Sequence, residues 1–469
     1  MKESLLVMKF GGTSVGGPEA LENAWRVVDS AKREWRDVVV VVSAASGVTN
    51  LLLDSAFRAA AGVKPILEEA PPQLRERHVV LADRMVPDQA RKAALIAEFD
   101  ALVGAFEDLL RAIQVLGEAT PRALDAVASL GERFSVRLFS EILKDRGLPS
   151  VALEATELIL TDDQFQSAHP NMLETGQRTQ ERVLPHLKQG EVPVVTGFLG
   201  ATAEGVTTTL GRGGSDFSAA ILAVALQAAE VWIWTDVDGV MTADPRIVSD
   251  ARTIPLLSYR EVGELAYFGA RVLHPKTIRP VIEAGIRLKV LNTFNPNHPG
   301  TELTARRQSD DRKTIQAVTA IRGQKLVTVE GRGMLGVPGV AARTFGAVAS
   351  TGTSVILISQ ASSEQSICLA VPAESADRVV GALQRAFVIE IQNRDIDRIW
   401  ASEEAVIVTV VGVGMQHTPG VAGQIFSALG KENVNVIAIA QGSSEVAISL
   451  MVKADEMERA VRAIHSLIE

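Results

Sequence analysis

The chain has 469 residues, of which 47% are apolar and 4% aromatic, and its formal net charge is −9. This length predicts two or three domains, and the acidic balance argues against nucleic acid or a membrane surface as a partner. Cys368 is the only cysteine, the histidines show no metal-ligand spacing, and no stretch reaches the roughly 20 apolar residues of a membrane span. We therefore expect a cytoplasmic protein without disulfides or a metal site of its own; His274 is interpreted as a turn residue.

The first motif is the glycine-rich segment MKFGGTSVGG, residues 8–17, which follows a short apolar strand. The tight turn after Lys9 leads to a helix predicted over 19–32, with Pro18 suited to its first position. Although the lysine precedes the glycines, unlike in the GxxxxGK[ST] loop, a fixed cation beside open amides suits phosphate oxygens. A surface lysine beside an ordinary turn is the alternative. The candidate phosphate contacts are Lys9, Gly11, Gly12 and Thr13.

The second motif is TTTLGRGGSDFSAA, residues 207–220. Its order predicts the end of a strand, a glycine turn and the start of a buried helix. Such a turn presents open N–H groups and the positive end of a helix dipole, which suit anions. Arg212 adds a fork of donors for a carboxylate or phosphate, and Asp216, beside Ser215, is placed to orient a cation or an amine. A plain βα turn with capping residues is the alternative.

Between the two motifs, strands frame a long helical region. Residues 38–42 are all valine, typical of a strand buried on both faces, and they end in the small, hydroxylated segment SAASGVTN, residues 43–50. Residues 51 to 145 are predicted to be helical, and Glu132 stands there on an otherwise apolar face. Its helix face is either partly exposed or buried for a functional reason. Further strands are predicted over 151–153 and 192–195, and a hairpin over 195–210.

Residues 231–313 contain the last predicted strands before a domain boundary. A buried strand over 231–235 leads into the polar segments TDVDG and TADPR, and such loops at the carboxyl ends of parallel strands bind ligands in open α/β sheets. We expect a helix over 258–273 and a last strand over 288–291. Prolines, a glycine and mixed charges over 295–313 predict a domain boundary.

An internal repeat lies beyond this boundary. Residues 331–371 match residues 412–452 without gaps, at a constant offset of 81. Each copy predicts strand, glycine loop, helix, strand, turn, strand and helix, the order of a ferredoxin-like βαββαβ unit. Residues 331–336 fit the dinucleotide pattern GxGxxG, but the second copy has His417 at the third glycine, which argues against that interpretation.

With KFGGTSVG, SAASGVTN, GER, TTTLGRGGSD, WTDVDGV, TADPR and YFGARVLHPKT in this order before the repeat, the chain resembles the aspartokinases over essentially its whole length. The resemblance implies an α/β amino-acid-kinase sandwich with a mainly parallel sheet over residues 1–305, followed by two ferredoxin-like ACT domains over 325–400 and 401–469. The linker, 306–324, overlaps an apolar alternating stretch, 314–321, that could donate a strand to the second ACT domain.

The resemblance also implies the reaction. The γ-phosphoryl group of ATP, bound with Mg²⁺, would pass to the β-carboxylate of L-aspartate, the first step toward lysine, threonine and methionine. Lys9, with the glycine amides behind it, would neutralise the transferring phosphoryl group. Arg212 would hold the α-carboxylate of aspartate, and Glu132 would pair with its ammonium group. The remaining contacts on the acceptor side are Ser43, Thr49, Ser215 and Asp216, and no general base is needed because the acceptor is already ionised.

The nucleotide side implied by the resemblance departs from the family at two positions. Met241 stands where the family commonly has tyrosine, and Arg271 where it has lysine. Methionine lacks the hydroxyl, and arginine keeps the charge without the point-like geometry. These changes affect the detail of the ATP contacts and not the reaction. The implied nucleotide contacts are Lys9, Gly11, Gly12, Thr13, Thr235, Asp236, Met241, Asp244, Arg246 and Arg271.

ACT pairs bind small amino acids, so the resemblance implies feedback inhibition, with threonine favoured over lysine. Both repeats place a glutamine at a predicted strand end, Gln360 and Gln441, and an amide side chain suits the threonine hydroxyl. This two-glutamine pattern is similar to the threonine-sensitive aspartokinases. Glu364 and Glu445 would serve the ammonium group of lysine instead, and simple capping of the strands is a third interpretation.

The sequence also leads to expectations about the oligomeric state and about alternative functions. ACT units associate between subunits in the resembling family, which predicts a homodimer or a dimer of dimers. The sequence stops directly after the second repeat, so we expect a monofunctional kinase. Two alternatives stay open here: another kinase of the same superfamily, acting on glutamate or uridylate, and a non-catalytic amino-acid sensor. The ACT pair and the GER and GRGGSD motifs argue against the first. The presence of Lys9, Glu132, Arg212 and Asp216 argues against the second.

Overall fold

The computed structural model describes residues 3–269, 273, 275–304, 314–361 and 365–468. The chain divides into two compact units: unit 1 comprises Met1–Val240, Thr253–Tyr259 and Val272–Arg306, and unit 2 comprises Met241–Arg252, Arg260–Arg271 and Arg307–Glu469. Three residues singled out from the sequence lie outside the described residues, namely Arg271, His274 and Glu364. In the described part of the chain, no helix combines the length and the apolar character that crossing a membrane requires.

The elements follow one another in chain order through both units. The first part contains β1 (Glu3–Phe10), α1 (Pro18–Glu34), β2 (Trp35–Val42), α2 (Val48–Ala60), α3 (Ile66–Met85), α4 (Gln89–Leu116), α5 (Pro121–Asp145), β3 (Ser150–Leu153), α6 (Met172–Lys188), β4 (Val192–Thr196), β5 (Leu199–Ala201), β6 (Thr207–Thr209), α7 (Gly214–Ala225), β7 (Glu230–Thr235), β8 (Leu256–Ser258), α8 (Tyr259–Tyr267), α9 (Pro275–Glu283), β9 (Arg287–Asn292) and β10 (Thr301–Thr304). The second part contains β11 (Ala317–Glu330), α10 (Val340–Ala349), β12 (Leu357–Gln360), β13 (Ser366–Pro372), α11 (Ala376–Ala386), α12 (Val388–Gln392), β14 (Arg398–Ala401), β15 (Ala405–Val411), α13 (Val421–Lys431), β16 (Ala438–Gln441), β17 (Ala447–Lys453) and α14 (Met457–His465).

Unit 1 is built on an eight-stranded sheet in the order β3-β4-β2-β1-β7-β9-β10-β8. All neighbouring strands run parallel except β9 and β10. The valines of β2 are fully buried because helices pack against the sheet, α5 and α7 among them. The sheet order continues from β1 to β2 on one side and to β7 on the other, so the carboxyl ends of these strands form a crevice suited to ligands.

Local chemistry sets where the helices of unit 1 begin. The Asp88 side chain accepts hydrogen bonds from the amides of Ala90 and Arg91, which caps α4. Thr120 caps α5 in the same way, ahead of a proline at the first helical position. The residue before α7 is Gly213, whose φ of 72° is left-handed and favours glycine. The glycine turn therefore delivers the start of α7 without a capping side chain.

Most predicted elements are confirmed within a few residues, and two expectations are wrong. The helix predicted over 258–273 is α8, which ends at Tyr267; Ser258 belongs to β8, and Gly269, with a φ of 97°, cannot continue a helix. The strand predicted over 288–291 is found as β9 but is not the last of this half. Part of the segment expected to be an irregular boundary forms β10, which pairs with β8 and β9.

Unit 2 contains both copies of the repeat around one antiparallel sheet, with the order β12-β13-β11-β15-β17-β16. The long strand β11 serves both copies: residues 324–330 pair with β13 of the first, and residues 317–321 pair with β15 of the second. In the first copy β14 also pairs with β11. In the second copy, residues 317–321 take the position beside β15 that β14 takes beside β11 in the first copy.

In both repeats, a glycine at the equivalent position allows another backbone segment to pack closely against it. A Cβ atom on Gly331 would lie 2.2 Å from the Asp395 carbonyl oxygen, and one on Gly412 would lie 2.4 Å from the Thr314 carbonyl oxygen. Both glycines have extended backbones, so the restriction is space and not φ. The segment before β11 therefore closes the second repeat as the segment before β14 closes the first.

Gly412→Ala should destabilise the protein, because the added methyl group would overlap the backbone of Thr314. We expect a loss of about 1–3 kcal/mol in the free energy of unfolding, measured by urea denaturation. The matched control is Gly423→Ala on α13, where a Cβ atom would meet nothing within 4 Å. Equal stability of the two variants would contradict the closure of the second repeat by the segment before β11.

Candidate active site

The candidate site is a cavity of about 670 Å³ in unit 1. It lies where the end of β1, the loop after β2, the middle of α5 and the glycine turn before α7 meet. The sequence-predicted residues that line it are Lys9, Ser43, Thr49, Glu132, Arg212, Ser215 and Asp216. The structure thus brings the two glycine motifs and the helical glutamate to one space.

The centre of the cavity wall is an ion pair between Lys9 and Asp216. The Lys9 Nζ and Asp216 Oδ1 atoms are 2.7 Å apart, and the two side chains are only 12% and 14% exposed. Lys9 stands one residue before the end of β1, and Asp216 lies in the first turn of α7. Because water reaches this pair only slightly, their attraction is stronger than that of a surface pair.

Close packing requires glycines where α7 begins. A Cβ atom on Gly214 would lie 2.5 Å from Cδ2 of Phe198, and one on Gly197 would lie 2.6 Å from Cβ of Ser215. Phe198 has a left-handed φ of 68° and also lines the cavity. The two glycines therefore allow the start of α7 to pack closely against the segment that carries Phe198. Phe198 and Ser215, the residues at this contact, both line the cavity.

Glu132 is buried, so the interpretation of its helix face as partly exposed is wrong. Its Oε1 atom accepts a hydrogen bond of 3.0 Å from the Ala44 amide, while Oε2 has no hydrogen-bond partner among the described residues. Burial raises the pKa of Glu132 to about 8, although Ala44 and the charge of Lys9 oppose the shift. The preceding residue is glycine because a Cβ atom on Gly131 would lie 2.7 Å from that of Ala44.

Arg212 is exposed and makes no ion pair or hydrogen bond within the described ranges, so its guanidinium group is available to an anion.

The Gly11 amide is not available to a phosphate, contrary to expectation. It donates a hydrogen bond of 3.2 Å to the Trp234 carbonyl oxygen and so joins β1 to β7. Gly12 opens a short 3₁₀ turn that also contains Thr13, packed so that a Cβ atom on Gly12 would lie 2.8 Å from the Ala44 carbonyl oxygen.

The residues expected on the nucleotide side fall into two sets. Thr235 and Asp236 lie at the carboxyl end of β7 in unit 1, where the Thr235 hydroxyl donates to Asp236 at 3.2 Å. Met241, Asp244 and Arg246 belong to unit 2. There Arg246 pairs with Asp244 at 2.6 Å, and this bond holds the pKa of Asp244 below its usual range.

Sequence reasoning missed Asp125, Gln166 and Thr209, which also line the cavity. Asp125 is buried on α5, seven residues before Glu132, so the two carboxylates share one face of the helix. That spacing was the signal available in the sequence. Burial raises the pKa of Asp125, while hydrogen bonds from Gln166 and Thr209 act in the opposite direction.

Comparison with known proteins shows the family to which the chain belongs. The amino acid kinase family profile matches residues 4–292, and the ACT domain profile matches residues 327–387 and 408–467. The chain is 37% identical to a bifunctional aspartokinase/homoserine dehydrogenase of Arabidopsis thaliana, over 99% of the chain and 51% of that protein. It is 34% identical to aspartokinase 3 of A. thaliana, over 99% of the chain and 82% of that protein.

Solved structures of E. coli aspartokinase III give the same result. The complex with aspartate and ADP (R-state) is 31% identical over 99% of both chains, with a TM-score of 0.81. The complex with lysine and aspartate (T-state) has a TM-score of 0.78. The chain therefore belongs to the aspartokinases, kinases of the amino acid kinase family with ACT domains, and the predicted fold class is confirmed. It spans about half the length of its bifunctional relatives.

The resemblance assigns Glu132 to the ammonium group of aspartate, and this role predicts that activity depends on the protonation of Glu132, because burial raises its pKa to about 8. Only ionised Glu132 can pair with an ammonium group, so below this pKa substrate binding must first release a proton. We expect kcat/KM for aspartate to fall about tenfold per pH unit below the pKa and to level off above it.

The measurement is a kcat/KM profile for aspartate from about pH 6 to about pH 9, at saturating ATP. Glu132→Gln is the matched variant: its kcat/KM should be low and should lack this slope. A flat wild-type profile, or the same slope in Glu132→Gln, would contradict the assignment of the titration to Glu132.

Proposed function

We propose that the chain transfers the γ-phosphoryl group of ATP to the β-carboxylate of L-aspartate, giving 4-phospho-L-aspartate. The observation that carries the proposal is that the Lys9–Asp216 pair, the buried Glu132 and the exposed Arg212 line the same cavity. The complex of E. coli aspartokinase III with aspartate and ADP supports the choice of both substrates. The reaction would serve lysine, threonine and methionine synthesis in the cytoplasm.

Two of the three charged groups of the acceptor would each find a partner in the cavity. Arg212 would hold the α-carboxylate in two places, because its guanidinium fork matches carboxylate geometry. Glu132 would take the ammonium group, which would give a partner to Oε2, an atom without one in the part of the chain that the structure describes. The β-carboxylate then remains as the nucleophile. It is already ionised, so no residue has to remove a proton.

Lys9 would act on the transferring phosphoryl group. Its ammonium group is fixed by Asp216 before substrates bind, and a preorganised charge stabilises a transition state without first having to reorient. Two anions, the phosphoryl group and the acceptor, must approach each other here. The positive charge of Lys9 lowers the repulsion between them.

The donor set fits a magnesium ion carried mainly by the nucleotide. No group of three histidine, cysteine, aspartate or glutamate side chains that could hold a metal occurs in the part of the chain that the structure describes. Mg²⁺ in kinases typically takes one or two carboxylates together with substrate phosphates. Asp216, a partly exposed carboxylate of the cavity, would supply such an oxygen. When bound, Mg²⁺ neutralises charge on the ATP phosphates.

Lys9→Ala and Arg212→Ala should impair activity in different ways. Lys9→Ala should lower kcat on the order of 10²–10³-fold with little change in aspartate KM, because it removes a charge that acts in the transition state. Arg212→Ala should mainly raise aspartate KM. Both are measured by coupled ADP release, with aspartate, glutamate and UMP as acceptors.

The matched controls are Lys64→Ala and Arg122→Ala, which remove exposed side chains that do not line the cavity. Near-wild-type kinetics of either site variant would refute its role. ADP release with glutamate or UMP, but not with aspartate, would identify another kinase of the superfamily.

For the regulatory ligand we favour L-threonine over lysine. Gln360 and Gln441 end β12 and β16, are exposed, and stand at equivalent places in the two repeats. The Glu445 carboxylate, the alternative partner for lysine, already accepts a hydrogen bond of 2.9 Å from the His417 amide. Lysine binding by E. coli aspartokinase III keeps lysine as the competing candidate. Bound effector would shift the kinase toward a less competent state.

Threonine should inhibit the wild type, and Gln360→Ala and Gln441→Ala should each raise the half-inhibiting concentration about tenfold, because a hydrogen bond to the ligand is lost. Separate titrations of threonine and lysine measure this, with the exposed Gln392→Ala as the control. Inhibition by lysine alone, or threonine inhibition unchanged in both variants, would refute the proposed effector site.

We also infer a homodimer, or a dimer of dimers, formed through the ACT repeats. The terminal strands β12 and β16 carry exposed Ile358 and Ile439, 49% and 45% accessible, at equivalent positions. Exposed apolar edges of this kind need cover. Light scattering at micromolar concentration should give at least twice the chain mass of 50.1 kDa. A fully active monomer would contradict this inference.

A further inference from the structure

Asp125 differs from the other carboxylates of the cavity because hydrogen-bond donors of the protein occupy both of its oxygens. It is 1% exposed, and it accepts hydrogen bonds from the Gln166 amide, the Thr209 amide and the Thr209 hydroxyl, at 2.9, 2.9 and 2.8 Å. Its partners lie 41 and 84 residues away in the sequence. A fully bonded, buried carboxylate is poorly placed to bind substrate directly, and well placed to hold backbone segments together.

The two segments that Asp125 joins flank the turn that carries Arg212. Thr209 ends β6, two residues before Gly211. On the other side the Gln166 carbonyl oxygen lies 2.9 Å from the position of a Cβ atom on Gly211. The Ala168 amide donates to the Thr209 carbonyl oxygen at 2.9 Å, which ties the same two segments a second time. The turn before Arg212 is therefore clamped between them.

The clamp holds Gln166 in a backbone conformation that is unfavourable for a residue with a side chain. Its φ is 69°, a left-handed value that costs a non-glycine residue free energy. Gln166 itself is exposed, so burial does not impose this conformation. The hydrogen bond from its amide to buried Asp125 is the contact that anchors it.

We propose that Asp125 is a positioning residue for the acceptor amino acid, acting through Gln166 and Thr209 to fix the turn that carries Arg212. The inference rests on the proposed function, since it takes Arg212 as the residue that grips the α-carboxylate. Asp125 touches neither the phosphoryl group nor Lys9 in this scheme. Its loss should weaken acceptor binding and leave nucleotide binding unchanged.

Asp125→Ala and Asp125→Asn separate hydrogen bonding from charge. Asparagine can keep all three contacts: its oxygen accepts from the two amides, and its NH₂ group donates to the Thr209 hydroxyl. Alanine keeps none. We expect Asp125→Ala to raise aspartate KM at least about tenfold with ATP KM within about twofold of wild type, and Asp125→Asn to stay within about threefold on both.

Amide hydrogen exchange gives a second readout that does not depend on activity. In Asp125→Ala, peptides covering 162–169 and 207–213 should exchange faster than in wild type, while peptides of β1 and β2 should not change. Asp125→Asn should exchange like wild type. Circular dichroism and the melting temperature establish that both variants are folded.

The outcomes separate this inference from the proposed function. A wild type that releases no ADP with aspartate would refute the proposed function, and exchange would still test the clamp. An active wild type with unchanged aspartate KM in Asp125→Ala would refute the positioning role. Equal losses in Asp125→Ala and Asp125→Asn would show that the charge of Asp125, and not its hydrogen bonds, matters, which would also overturn the proposal.

Discussion

The site depends on one interaction, the ion pair between Lys9 and Asp216. It joins the end of the central strand β1 to the first turn of α7, two elements that are distant in the sequence. The pair requires α7 to start close to the sheet, and the glycines at 197 and 214 permit that approach because no Cβ atom would fit there. The same approach brings the turn with Arg212 to the cavity. The close approach of α7 therefore determines both the position of the Lys9 ammonium group and the position of the turn that carries Arg212.

The charges of the cavity are distributed so that only some remain available. Asp216 is paired with Lys9 through Oδ1 and is proposed to supply an oxygen to Mg²⁺, and Asp125 is occupied by its own hydrogen bonds. Glu132, with one oxygen lacking a partner among the described residues, and the exposed Arg212 are left. Once ionised, the Glu132 carboxylate and the Arg212 guanidinium group would complement the ammonium and α-carboxylate groups of an amino acid. In the proposed function, this selection of partners, more than the number of charges, would give the site its specificity for an amino-acid acceptor.

Sequence reasoning predicted features that depend on local pattern. The valine strand, the glycine turns and the repeat carry strong local signals, and Glu132 drew attention because a charge interrupts an apolar helix face. Features set by distant partners were missed. The Gly11 amide is taken by the carbonyl oxygen of Trp234, and Asp125 bonds to residues 41 and 84 positions away. The strand β10 was missed because its short segment looks like a linker until β8 and β9 are beside it.

The central claim is that this cavity directs phosphoryl transfer to the β-carboxylate of aspartate. Trapping the product with hydroxylamine tests it most directly, because an acyl phosphate is converted to a hydroxamate at the carboxyl group that was phosphorylated. With ATP, Mg²⁺ and L-aspartate, the account predicts aspartate β-hydroxamate as the product, identified by mass spectrometry and comparison with the α-isomer. Formation of the α-hydroxamate, or ADP release without any hydroxamate, would contradict it.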